Sequence, residues 1–207
     1  MKKQFAAVIA ITGWLALIGQ LYLLIQNSPW PLGEVIIRYF SYFTILGNIL
    51  VATYLTSVSL QKDNTAFFMR AGVQTAITVY IIVVGIIYNL VLRFLWAPQG
   101  LQRVVDELLH TLLPVLAVVY WVKYVPKATL RYKDCFTWML FPFAYILYVI
   151  IRGAASGFYP YAFIDVTLLG YPRALLNGSG IVFLFMGLSL FLTALAQWNS
   201  RRQPVKQ

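Results

Sequence analysis

The run DELLHTLLP, residues 106–114, carries the only histidine of the chain, His110, four residues after Asp106 and three after Glu107. On a helix, residues four apart share a face. Asp106 is then placed to orient the imidazole and fix its tautomer, leaving the other ring nitrogen to act as a base. Thr44 and Asn48 repeat the same spacing within RYFSYFTILGNILVATYL, residues 38–55. A threonine hydroxyl is a weak nucleophile until a neighbouring base takes its proton. A side-chain amide, from Asn48 or from Asn89, is a donor for a developing oxyanion. This set points to nucleophilic acyl transfer. A lone histidine does not build a His-rich metal site and rules out bis-histidine haem ligation. The single cysteine, Cys135, excludes an internal disulfide and any multi-cysteine metal site. No metal or cofactor is expected.

The elements that must position these residues are transmembrane helices. The chain is 61% hydrophobic and 11% charged, far from the roughly 45–50% apolar and about 25% charged residues of soluble domains. Apolar segments near 5–25, 35–58, 70–92, 104–122, 136–157 and 175–198 are each long enough to span roughly 30 Å of hydrocarbon. The sequence predicts an all-α integral membrane bundle of six helices, folded as a single domain over 1–207. The first segment follows Lys2 and Lys3, but it is longer than a signal-peptide core and lacks a small-x-small cleavage site, so it is expected to remain as the first helix.

The formal charge of +10 does not imply nucleic acid, because the basic residues fall in short loops between the spans, where they set topology. Eleven of the sixteen, including every lysine, sit at the N-terminus, the second and fourth loops and the C-terminus: Lys2, Lys3, Lys62, Arg70, Lys123, Lys127, Arg131, Lys133, Arg201, Arg202 and Lys206. Both termini are therefore expected to be cytoplasmic. Measured along helices that run inward from the outer face, Thr44 falls roughly 13 Å and His110 roughly 9 Å below the helix starts, in one layer. Asn89, Arg152 and Asn177 share that outer half, whereas the inner half offers mainly Thr12, Gln74, Thr75 and Thr78. Ionisable groups at such depth normally face the bundle interior and mark a working site. Arg152, Arg173, Asn177 and Asp165 are candidate substrate contacts, an arginine fork being suited to a lipid carboxylate. The Gly-, Pro- and Tyr-rich stretch 153–174 is expected to be irregular, capping a cavity or lying in the interface. Pro114 and Pro142 are expected to kink their helices, and Gly178, Ser179, Gly180 and Gly187 to be close-packing positions.

Three stretches, FSYFTILGN at 40–48, DELLHTLLP at 106–114, and PFAYILYVIIRG at 142–153 together with YPYAFID at 159–165, resemble the androgen-induced and androgen-dependent family of six-span membrane proteins and its bacterial relatives. Animal members of that family are threonine hydrolases that cleave fatty acid esters of hydroxy fatty acids. The resemblance implies that Thr44 is the nucleophile and His110 its partner. The expectation is a lipid-ester hydrolase whose substrate comes from the bilayer. Its surroundings are membrane lipids, in a multi-pass protein of the bacterial inner membrane, with no oligomeric state specified. The alternative is a non-enzymatic lipid-binding or transport protein with a polar cavity open to the outer side.

Overall fold

Residues 1–60, 67–95 and 97–202 are described by a computed structural model, and every regular element among them is helical. Lys62 and Lys206, both used above for topology, lie outside the described residues. Six helical segments are long and apolar enough to cross a membrane: Lys2–Asn27, Phe43–Leu60, Ala71–Phe94, Gly100–Tyr124, Asp134–Ser156 and Val166–Trp198. The chain divides into two compact units, Met1–Pro126 and Lys127–Gln207.

In the first unit, α1 (Lys2–Asn27) packs most extensively against α3 (Phe43–Leu60), and α4 (Ala71–Leu90) against α3 and α6 (Leu113–Tyr124). The reason lies in the buried face of α1, where Ala6, Ile9, Ala10, Gly13, Ala16 and Leu17 recur at helical spacing. Small side chains let two backbones approach closely. A Cβ built on Gly13 would come within 3.2 Å of the Ala52 Cβ. The opposite face, with Val8, Ile11, Leu15 and Ile18, is exposed and apolar, as a lipid-facing surface must be. Indole donors tie the helices together, Trp14 Nε1 to Thr56 Oγ1 at 3.1 Å and Trp121 Nε1 to Thr75 Oγ1 at 2.9 Å.

The second span differs from its expected form. A separate helix, α2 (Leu32–Ser41), precedes it, and Tyr42 breaks the run with φ −86 and ψ 126. Ser41 Oγ bonds back to the Ile37 carbonyl at 2.7 Å, the kind of local bond that competes with helix continuation. The span therefore begins at Phe43, and Thr44 stands in its first turn rather than roughly 13 Å along it. Helix α2 is amphipathic: Leu32, Ile36, Ile37 and Phe40 are exposed, while Val35 and Tyr39 are buried. Tyr39 anchors it to α1 by donating to the Leu17 carbonyl at 2.8 Å. Burial pushes the Tyr39 phenol up to about 12, so it remains a neutral donor at physiological pH.

The second unit consists of α7 (Asp134–Trp138), α8 (Leu140–Ser156), a short turn at Ala162–Ile164 and α9 (Val166–Arg202). Helix α8 stops at Gly157, whose φ of +69 suits only glycine at low strain and whose N–H caps the Gly153 carbonyl at 2.8 Å. The stretch expected to be irregular from 153 to 174 is largely helical. Its irregularity is confined to the turns around Gly157 and Ala162–Ile164, and to a bend in α9 at Gly170, φ +71, just before Pro172. Gly178, Gly180 and Gly187 have open space where a Cβ would go, so they are not close-packing positions within the second unit. Gly153 is such a position instead, for a Cβ there would overlap the Tyr159 ring. Gly153→Ala is expected to destabilise the protein by about 1–3 kcal/mol, seen as a lower thermal midpoint in detergent, with Tyr159→Ala in the same chain restoring part of the loss.

Candidate functional site

The site begins with a missing hydrogen-bond donor. Helix α5 (Gly100–Glu107) runs into a wide π turn, Leu108–Leu112, before α6 starts at Leu113. Within that turn the Leu113 N–H bonds to the Leu108 carbonyl, five residues back. The next donor in that register belongs to residue 114, which is proline and has none. The Leu109 carbonyl is thereby left open, and Asn48 Nδ2 of α3 fills it at 3.1 Å. The His110 carbonyl, which an ordinary helix would pair with residue 114, is met by Asn89 Nδ2 of α4 at 3.3 Å. Gly85 allows α4 to come this close, since a Cβ there would lie 3.3 Å from the His110 carbonyl oxygen and 3.2 Å from Pro114 Cβ. Turns of this kind recur at functional sites.

Within the turn His110 stands against a set of polar groups. His110 Nδ1 lies 3.2 Å from Asp106 Oδ1 and 2.9 Å from the Asp106 carbonyl oxygen. Both partners are acceptors, so Nδ1 holds the proton and Nε2 keeps the lone pair. Asp106 is buried, and its second oxygen, Oδ2, accepts a short hydrogen bond from the Tyr88 hydroxyl. The Tyr88 ring stacks on the imidazole with centroids 4.1 Å apart and planes 16° from parallel. Arg93 lies over the same tyrosine, 5.3 Å from its centroid, and grips Glu107 through Nη2 at 2.5 and 2.6 Å. Thr111 Oγ1 accepts from Arg93 at 3.2 Å. The carboxylate, the ring and the phenol hold one another in place, and one imidazole nitrogen remains for chemistry.

Thr44 is buried one turn before Asn48. The hydrogen bonds link it to the His110 turn through Asn48, whose Nδ2 also donates to the Thr44 carbonyl at 2.8 Å. Asn48, Asn89, Asp106 and His110 are thus brought together within the first unit, with Thr44 one helical turn from Asn48. Counting residues from helix starts does not show this, because Thr44 is in the first turn of its span while His110 is ten residues into its own. Asn48 and Asn89 both direct Nδ2 at backbone carbonyls. In this arrangement they brace the turn and do not aim a donor at an oxyanion.

The remaining candidates belong to the second unit, and Asp165, Asn177 and Arg152 have structural partners there. Asp165 caps α9, its Oδ1 accepting from the N–H groups of Thr167 at 2.8 Å and Leu168 at 3.2 Å. Asn177 donates to the Phe163 carbonyl at 2.8 Å, pinning the short turn to α9. Arg152 donates to Ser156 Oγ at 3.3 Å and lies over the Phe158 ring. Arg173 is exposed. Beside these residues Phe143, Ile146, Ile150, Val166, Leu175 and Phe183 line an apolar groove of about 330 Å³. Among the described residues, no three His, Cys, Asp or Glu side chains are grouped to hold a metal ion.

No family model matches the chain, and neither a curated protein nor a solved structure does. A functional reading therefore rests on the geometry and on the motifs that carry the resemblance. Tyr88, Arg93, Glu107 and Thr111 are additions that the sequence reading did not place in the site. The available signals were the Tyr88–Asn89 pair near the end of its span and the proline four residues after His110. Replacing Asn89 with leucine is expected to lower stability by about 1–3 kcal/mol, because the His110 carbonyl loses its side-chain donor. The check is thermal unfolding of Asn89→Leu in detergent.

Proposed function

We propose that this protein is an intramembrane hydrolase of lipid carboxylic esters, with Thr44 as nucleophile and His110 as base. The observation that carries the reading is the buried Asp106 carboxylate on His110 Nδ1, an arrangement that leaves Nε2 as proton acceptor in an otherwise apolar bundle. In the proposed reaction Nε2 takes the Thr44 Oγ proton and Oγ attacks the ester carbonyl carbon. The same proton then passes to the departing alcohol. Water next cleaves the acyl-threonine and the carboxylic acid leaves. Thr44 stands in the first turn of α3, where the positive end of the helix dipole favours the negative charge that forms.

Asp106 keeps the imidazole in the productive tautomer, and Tyr88 fixes both by its hydroxyl and its ring. We further place both termini in the cytoplasm, from the distribution of lysine and arginine, with the site in the outer half of a bacterial inner membrane. Substrates of the fatty acid ester class enter from the bilayer, as the resemblance implies. The apolar groove of the second unit favours one other reading, a lipid carrier that binds an acyl chain without turning it over.

Purified Thr44→Ala and His110→Ala, folded and intact, are expected to lose about 10²–10⁴-fold in kcat/KM on long-chain esters. Asp106→Asn is expected to lose a similar factor, since it unsettles the tautomer. A fluorophosphonate probe is expected to label Thr44 in the unmodified protein and not in His110→Ala. Ester turnover that survives in both alanine variants excludes the mechanism. Saturable lipid binding with no turnover in the unmodified protein selects the carrier.

A further inference from the structure

Asn48 is 1% exposed, and its Oδ1 has no hydrogen-bond partner among the described residues. The orientation of the amide is fixed by its surroundings. Nδ2 faces two carbonyl oxygens, of Thr44 at 2.8 Å and of Leu109 at 3.1 Å, and turning the amide over would set oxygen against oxygen. Oδ1 is therefore a bare acceptor inside an apolar bundle, where a buried polar group without a partner is costly and is usually met by a bound donor. The ligand that suits it must bring an O–H or N–H group. A carboxylate, a phosphate or the oxyanion of a tetrahedral intermediate would be repelled.

Three other buried side-chain atoms, Tyr54 Oη, Gln74 Oε1 and Tyr120 Oη, share this lack. None of those residues is hydrogen-bonded to the turn that carries His110. Asn48 is, and it also holds the backbone of Thr44. We propose that Asn48 Oδ1 is the acceptor of a small hydroxyl-donor site whose occupant is a water molecule, and that this water hydrolyses the acyl-threonine. Occupancy follows from the geometry of Asn48 alone; the role in turnover rests on the hydrolase reading.

One water O–H is held by Asn48 Oδ1, and the other proton goes to His110 Nε2 as the water oxygen attacks the acyl carbonyl carbon. The bond from that carbon to Thr44 Oγ breaks, Oγ takes the proton from His110, and a free carboxylic acid and the original threonine are left. Through Oδ1, Asn48 is a positioning residue for the second half of the reaction.

Two measurements on the full chain in detergent test this. X-ray hydroxyl-radical labelling in ¹⁸O-water is expected to mark Leu109, which is 1% exposed and is otherwise sheltered, and the mark is expected to fall at least about five-fold in Asn48→Leu. Where Asn48→Leu does not fold, Asn48→Ala serves, because it removes the same acceptor without adding bulk. With a p-nitrophenyl ester, the acylation burst of the variant is expected to fall as the His110 turn loses a brace, and steady turnover is expected to fall about 10²-fold further than the burst, the scale of a misplaced reactant. Added hydroxylamine is expected to restore turnover by cleaving the acyl-threonine in place of water. An unmarked Leu109 in the unmodified protein overturns the site. Equal loss of burst and steady turnover overturns the assigned role. Marking without any ester turnover in the unmodified protein upholds the bound water and removes the hydrolase reading.

Discussion

Backbone groups in hydrocarbon must find partners within the protein, and in this chain Pro114 makes that requirement hard to meet at one place. It removes an N–H from a helix that the surrounding bundle cannot hydrate. The π turn at Leu108–Leu112 and the two asparagines that reach it from α3 and α4 are the response. Three helices are thereby fastened at one level by side-chain amides bonded to backbone carbonyls. The same turn carries His110, which stacks on Tyr88. The site is a product of how a helix interruption is repaired.

That repair explains how a carboxylate and an imidazole are tolerated together inside an apolar bundle. An isolated charge at such a position is expensive. Here Asp106 has a hydroxyl on one oxygen and an imidazole nitrogen near the other, while the outlying carboxylate of Glu107 is neutralised by Arg93. The negative charge is shared over a small network whose members are also held by ring stacking. A network satisfied in this way is rigid, and it keeps the second imidazole nitrogen aimed in one direction.

The six spans were legible because apolar length is a composition signal that survives without any knowledge of packing. The Asp106–His110 contact was legible from the four-residue spacing, and the turn that widens between them did not spoil it. The break at Tyr42 was not, since no proline or glycine marks it and Ser41 acts only through a local bond to Ile37. The roles of Asn48 and Asn89 were legible as polar but not as braces, because the carbonyls they serve are exposed only once Pro114 and the π register are seen together. Glycines misled for a related reason. Gly178, Gly180 and Gly187 cluster in the sequence, whereas close approach occurs at isolated Gly13, Gly85 and Gly153, each decided by what faces it. Asp165 and Asn177, which look like ligand contacts in a polar list, are absorbed by a helix cap and a turn.

Helix α2 has a consequence for the height of Thr44. A segment with exposed Leu32, Ile36, Ile37 and Phe40, and with Arg38 lying over Trp30 at 4.3 Å, has the amphipathic character of helices that lie at the boundary between headgroups and acyl chains. It is joined to α3 by Tyr42 alone. The vertical position of the threonine is thus referenced to the lipid surface, as a weight hung on a short line is referenced to its float. In a bilayer, a helix of that character would hold the start of α3, and with it Thr44, at one height whatever the membrane thickness.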